Sequence, residues 1–166
     1  MRTSPTTTRN TPKSVAAVQE QVDAITLLTD DHENVKQMFE QYEGLGDRAH
    51  ATKKKLAMQI CIELTKHAEA EEEIFYPAVR AARKDNEDLI DEATVEHASA
   101  KDLIAQIMEM EATEDLFDAK VKVLSEMVEH HVEEEEGEMF PKARAAGLDM
   151  MLLGQQIAER KAQIAV

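Results

Sequence analysis

Tryptophan is absent from this 166-residue chain, cysteine occurs once, and glycine and proline together account for nine positions. A single thiol, Cys61, rules out an internal disulfide and carries no information about an oxidising compartment. It falls inside an apolar helical pattern and reads as a small core residue. Few glycines and prolines, and no sustained apolar–polar alternation, argue against a β-rich fold. No apolar run approaches the roughly 18 residues a membrane-crossing helix requires. The opening MRTSPTTTRNTPKS lacks the apolar stretch of a secretory signal, so the expected location is the cytoplasm. Positive charge is also scarce: 19 Lys and Arg face 34 Asp and Glu, a formal net charge of −15. That balance argues against nucleic acid or an anionic membrane as the main partner. It suits a protein that binds cations, although a glutamate-rich helical surface accounts for most of it.

What is present in quantity is Ala, Leu, Met, Glu and Lys, the composition of an all-α protein. Residues 1–14, rich in Ser, Thr and Pro, read as a flexible tail. Helical periodicity then predicts helices over about 15–43, 49–83, 85–110 and 114–139, with boundaries good to about two to four residues. Pro77 and Pro141 are expected to disturb the ends of the second and fourth helices, because proline lacks the amide and clashes with the preceding turn. Short connections favour antiparallel neighbours, hence an up-down-up-down four-helix bundle over 15–146. A further helix is expected within 147–166, with Met150, Met151, Leu152 and Leu153 covering the bundle end in preference to meeting another subunit.

The two halves repeat. HAEAEEEIFYP (67–77) has a partner in HVEEEEGEMFP (131–141), and His32 and His97 precede the two copies by 35 and 34 residues. A repeat of about 65 residues is too long for a solenoid unit and fits two helical hairpins completing one bundle. Core stripes at steps of three and four run Ile25, Leu28, His32, Val35, Phe39, Tyr42 in the first helix and Ile90, Ala93, His97, Ala100, Ile104, Ile107 in the third. The second runs Ala57, Ile60, Leu64, His67, Glu71, Ile74, Ala78. The fourth runs Phe117, Val121, Leu124, Val128, His131, Glu135, Met139.

Every helix therefore places a histidine on its core stripe, and two add a glutamate one turn later. A His-x-x-x-Glu pair shares one helix face. An ionised carboxylate in an apolar core costs several kcal/mol unless compensated. Four imidazoles and two carboxylates converging from four helices point to a metal centre, for which Fe, Mn or Zn would suit the donors. Glu72 and Glu136 point about 100° away from their neighbours. With Glu69, Glu73, Glu133 and Glu134 they read mainly as a solvated face, from which one or two orient a histidine through its second nitrogen. His50 and His130 fall off the stripes.

The ordered set His32, His67-x-x-x-Glu71, His97 and His131-x-x-x-Glu135 resembles the hemerythrin-like (HHE cation-binding) domain. DAITLLTDDHENVKQMF resembles that family's opening helix, and EEEIFYP and EGEMFP its post-ligand segments, so the likeness covers roughly 22–145. The resemblance implies a non-haem pair of iron ions with an oxo or hydroxo bridge. His32 and His67 would serve one ion, His97 and His131 the other, and Glu71 and Glu135 would bridge them. The chain departs from oxygen-carrying relatives at Lys101, where those have a fifth histidine, which puts reversible oxygen carriage in doubt. Tyr76 is a candidate additional ligand or near-site residue by the same resemblance, with Phe140 at the matching place in the second half. On an ideal helix Tyr76 lies on the wrong face, and only a distortion before Pro77 would bring it inward.

The expected function is a diiron protein that binds or senses O2, iron or redox state. Its alternatives are an enzyme acting on hydrogen peroxide or nitric oxide at an open coordination position, and a structural divalent-cation protein holding zinc. Whether it is an enzyme is left open by the residues, and they identify no protein partner.

Overall fold

A computed structural model of the chain describes residues 21–166; the expected tail over 1–14 and the expected helix start at 15 lie outside them. Among the described residues every regular element is helical, as the composition predicts. Helix α1 spans Ala24–Glu43. It starts at Ala24 because Asp23 caps it, its carboxylate accepting from Thr26 N at 3.1 Å, which satisfies one of the orphan amides of the first turn.

Helix α2 (His50–Ala70) runs back along α1. The second predicted helix does not continue to 83 as one α-helix. A π-turn occupies Glu71–Phe75 and a short α3 follows over Tyr76–Ala82. After a 3₁₀ turn at Lys84–Asn86, α4 covers Glu87–Glu109. Helix α5 (Phe117–Glu134), a second π-turn (Glu135–Met139) and α6 (Phe140–Ala145) repeat the arrangement of α2, its π-turn and α3.

The prolines thus disturb their helices one turn earlier than expected, and the helices carry on past them. Proline's missing amide and its ring disfavour a regular turn. The chain answers by inserting one residue: Tyr76 N–H donates to Glu71 O, and Phe140 N–H to Glu135 O, each five residues back, the bond that defines a π-turn. The extra residue shifts the register beyond Glu71. Phe75, Tyr76 and Val79 are buried there, in place of the predicted Ile74 and Ala78.

The core falls into two apolar layers. One gathers Leu28, Phe75, Val79, Ile90, Phe140 and Ile157, and the other Phe39, Ile60, Ile107, Phe117, Val121 and Leu124. On each of α1, α2, α4 and α5 the predicted histidine sits between the two layers, so the polar residues form a slab across the middle of the bundle.

Helix α7 (Met150–Gln163) packs on α1, α2 and the first π-turn. Its Leu153 and Ile157 join the first layer, each burial contributing about 1.5–3 kcal/mol. Met151 and Leu152 stay exposed on its outer face. Gly154 is required where the helix meets the chain before α1, because a Cβ there would lie 2.1 Å from Val22 O. No described helix is long and apolar enough to cross a membrane.

Candidate metal centre

His32, His67, His97 and His131 project from four helices into the polar slab, and all are buried. Their Nε2 atoms meet in two pairs, His32 with His67 at 3.1 Å and His97 with His131 at 3.0 Å. Nitrogens that close need a proton or a cation between them, since two lone pairs repel.

The two glutamates tie the pairs together. Glu71 Oε2 lies 3.2 Å from His67 Nε2 and 3.4 Å from His97 Nε2. Glu135 places Oε2 3.3 Å from His32 Nε2 and Oε1 3.4 Å from His131 Nε2. Each carboxylate therefore reaches one histidine of each pair. Two overlapping four-donor groups result, His32, His67, Glu71, Glu135 and Glu71, His97, His131, Glu135, with donors within 4.8 Å of one another. Glu71 Oε1 and Glu135 Oε2 are buried without a hydrogen-bond partner among the described residues. Orphaned carboxylate oxygens at full burial are costly, and the donor set of neutral nitrogen and anionic oxygen is the one that borderline divalent cations accept. The residues fit a pair of metal ions.

In the absence of cations, protons balance the site. Burial disfavours the imidazolium of His67, but the charge of Glu71 and hydrogen bonds to Asp31 and Glu71 outweigh it and raise its pKa to about 10. His131 rises to about 9 because bonding and charge from Glu135, with Glu71 and Glu96, overcome the same penalty. His97 moves the other way, burial dominating. Glu135 is held well below the usual carboxylate range by His131 and His32 despite its burial.

A carboxylate holds the other nitrogen of each of the four slab histidines. His32 Nδ1 meets Glu136 at 2.8 Å, His67 Nδ1 meets Asp31 at 3.1 Å, His97 Nδ1 meets Glu72 at 3.0 Å and His131 Nδ1 meets Glu96 at 2.6 Å. Such contacts orient the ring and make Nε2 a better donor. Glu72 and Glu136 are therefore the orienting members of the group the sequence reads mainly as solvated. Glu73 instead bonds Arg160 of α7, and Glu134 lies 3.4 Å from the exposed His130. Asp31 and Glu96 were missed by sequence reasoning. Their signal was available: each directly precedes the first histidine of its half, at the same repeat offset. His50, off the stripe, contacts Ala112 O through Nδ1.

The π-turn at Glu71 carries Tyr76 inward, onto the face an ideal helix would deny it. Its hydroxyl donates to Glu135 Oε1 at 2.5 Å and lies 3.3 Å from Glu71 Oε2, 3.3 Å from His97 Nε2 and 3.5 Å from His131 Nε2. Burial and the two carboxylates push its pKa well above the usual phenol value, so the phenol keeps its proton here. Phe140, its counterpart, stacks on His32 at 5.8 Å. The aromatic pair makes a nearly symmetric slab chemically asymmetric. Lys101 turns aside from the centre, its Nζ donating to both oxygens of Glu72 at 2.9 and 2.7 Å.

Two openings approach the slab. An apolar cavity of about 50 Å³ touches all four imidazoles and is walled by Val35, Leu64, Ile104 and Val128. A wider groove of about 450 Å³ runs between α1 and α5 and ends on His32 and Glu136.

Comparison with known proteins bears on the family and the fold. A family model described as Hemerythrin HHE cation binding domain matches residues 23–143. The crystal structure of a hemerythrin HHE cation-binding domain-containing protein from Mycobacterium kansasii superposes with a TM-score of 0.71 at 25% identity, covering 86% of each chain. A DNA nickase of Nostoc sp. is 38% identical over 88 residues, which is 52% of this chain and 24% of the nickase. The match thus spans about a quarter of that relative's length.

Proposed function

The chain belongs to the hemerythrin HHE cation-binding family, and from that premise we propose that its buried slab holds two iron ions joined by an oxo or hydroxo bridge. His32 and His67 would bind one ion, His97 and His131 the other, with Glu71 and Glu135 shared between them. The observation that carries this reading is the sharing itself: each glutamate reaches a histidine of both pairs. When bound, such a pair supplies reversible one-electron chemistry and an affinity for small ligands such as O2. The protein's own residues hold four imidazoles in the tautomer that presents Nε2, enclose the slab between two apolar layers, and keep a phenol proton 2.5 Å from Glu135 Oε1.

We read the role as binding or sensing O2, iron or redox state. The apolar cavity beneath the imidazoles supports a small uncharged ligand, and a net charge of −15 speaks against a nucleic-acid role. Metal analysis of protein purified from its native cells, joined to a visible spectrum, tests the reading. Two irons per chain with oxo-to-iron charge-transfer bands are expected; stoichiometric zinc would replace this reading by the structural one.

A second reading, turnover of hydrogen peroxide or nitric oxide, draws support from Tyr76. Its hydroxyl is a proton donor held against both shared carboxylates. Sustained peroxide consumption by the iron-loaded protein, lost in Tyr76→Phe with iron retained, would favour it.

A further inference from the structure

The two halves of the repeat treat one pair of carboxylates differently. Glu72 and Glu136 each follow a shared glutamate by one residue, and each bonds the Nδ1 of a histidine on another helix. Lys36 and Lys101 each follow the first histidine of their half by four residues. Lys101 pins Glu72 through both oxygens. Lys36 is exposed and pairs with no carboxylate among the described residues, and the Glu136 side chain is 40% exposed. One orienting carboxylate is clamped, and its counterpart is free to swing.

The free one stands at the inner end of the groove between α1 and α5. That groove is lined by Glu33, Glu40, Glu43, Glu129, Glu133 and Glu136, against two ammonium groups, Lys36 and Lys122. Lys122 is already bound to Glu43 at 2.9 Å. At its floor lies His32, and behind His32 Nε2, at 3.3 Å, is Glu135 Oε2, a buried carboxylate oxygen with no hydrogen-bond partner among the described residues. The apolar cavity that also touches the imidazoles offers a cation only two carboxylates, Asp31 and Glu96, each already engaged by a histidine Nδ1.

We propose that the α1–α5 groove is the loading path for divalent cations and that Glu136 is its gate. The inference rests on the metal-centre reading above. Carboxylates along the groove concentrate cations by their summed field, since a charged cleft with low-dielectric walls raises the local concentration of counter-ions. Glu136 receives the cation at the mouth of the slab and releases His32 Nδ1. The freed imidazole turns toward the groove and brings Nε2 to the cation. Glu135 Oε2 then draws it inward, and Glu136 returns to Nδ1. No bond is made or broken other than coordination and hydrogen bonds.

The test mixes metal-free full-length protein with Co2+ and follows its d–d absorption in a stopped-flow instrument, at low and high salt. Glu129→Lys/Glu133→Lys should slow loading about tenfold at low salt, with the difference shrinking as salt screens the field. Glu87→Lys/Glu92→Lys, on the outer part of α4 and outside the groove, should load like wild type. Glu136→Gln should slow loading at every salt concentration, because the gate has lost its charge. Final cobalt stoichiometry should be equal in wild type and both lysine variants. Equal slowing by the α4 pair, unchanged rates in the groove variants, or a Glu136→Gln rate matching wild type would each overturn the loading path while leaving the centre standing. No cobalt bound by wild type at equilibrium would overturn the metal-centre reading, and the path with it.

Discussion

The Tyr76 hydroxyl donates to Glu135 Oε1 across 2.5 Å, joining a residue of the first half of the repeat to the shared carboxylate of the second. Nothing on the opposite side does the same, because Phe140 has no hydroxyl to offer Glu71. The centre is thus built from a duplicated frame and distinguished by one oxygen atom. That oxygen lies within 3.5 Å of both His97 and His131, so its influence falls on the ion those histidines would hold.

Tyr76→Phe therefore separates two states of the iron-loaded protein. If the Tyr76 hydroxyl gives up its proton to ligate an iron ion, wild type should bind azide weakly and show a phenolate-to-iron band in the visible spectrum. The phenylalanine variant should lose the band and gain azide binding. One shared spectrum and one shared azide affinity would remove Tyr76 from the coordination sphere.

Glu71→Ala and Glu135→Ala should each abolish most of the dinuclear site, measured as metal bound per chain, because each carboxylate serves both histidine pairs. Glu72→Ala and Glu136→Ala should be milder. The sequence alone would leave them neutral, but their contacts to His97 and His32 predict a loss of about 10–100-fold in metal affinity. Asp31→Ala and Glu96→Ala should fall in the same range. Equal loss from all six variants would contradict the division between shared and orienting carboxylates.

Metal-free protein should have a stability optimum in mildly acid solution. His67 and His131 have folded pKa values raised to about 10 and about 9 from an ordinary 6.5. Their stabilisation is complete below the unfolded value and is lost as pH rises through the folded ones. Glu135 is shifted down from 4.5, so its contribution is present above that value and fades as pH falls. His97, also shifted down, adds to the loss on the acid side. The melting temperature of metal-free protein should therefore be higher near pH 6 than at pH 9. Bound cations replace those protons, so chelation at neutral pH should lower the melting temperature by linkage. Identical melting of loaded and metal-free protein would show that the slab binds no cation.

Gly154→Ala probes the docking of α7. A Cβ would lie 2.1 Å from Val22 O and 2.9 Å from Ala24 N, both backbone atoms that cannot rotate aside. Overpacking of this kind costs about 1–3 kcal/mol, so thermal unfolding should begin several degrees lower. Ala158→Gly, on the exposed face of the same helix, provides the control for helix propensity, with an expected cost of about 1 kcal/mol or less.

Several layers of this protein are written locally and can be read without coordinates. The apolar stripes follow from the fixed period of a helix, and a histidine or glutamate on a stripe shares the face that its apolar residues bury. The six slab residues and the pairing of halves are legible from spacing, and the all-α class from composition. The partners of those residues are not. Asp31 reaches His67 from another helix, and Glu96 likewise reaches His131, so their roles depend on how α1 stands against α2 and α4 against α5. Tyr76 shows the same division within one segment. Pro77 announces a disturbance, but its form, one inserted residue beginning at Glu71, depends on which register buries Phe75 and Val79 against Phe140 and Ile157. Helical period is a property of the chain; the choice of π-turn and the clamping of Glu72 by Lys101 are properties of packed helices, because each requires two segments to meet before either arrangement is favoured.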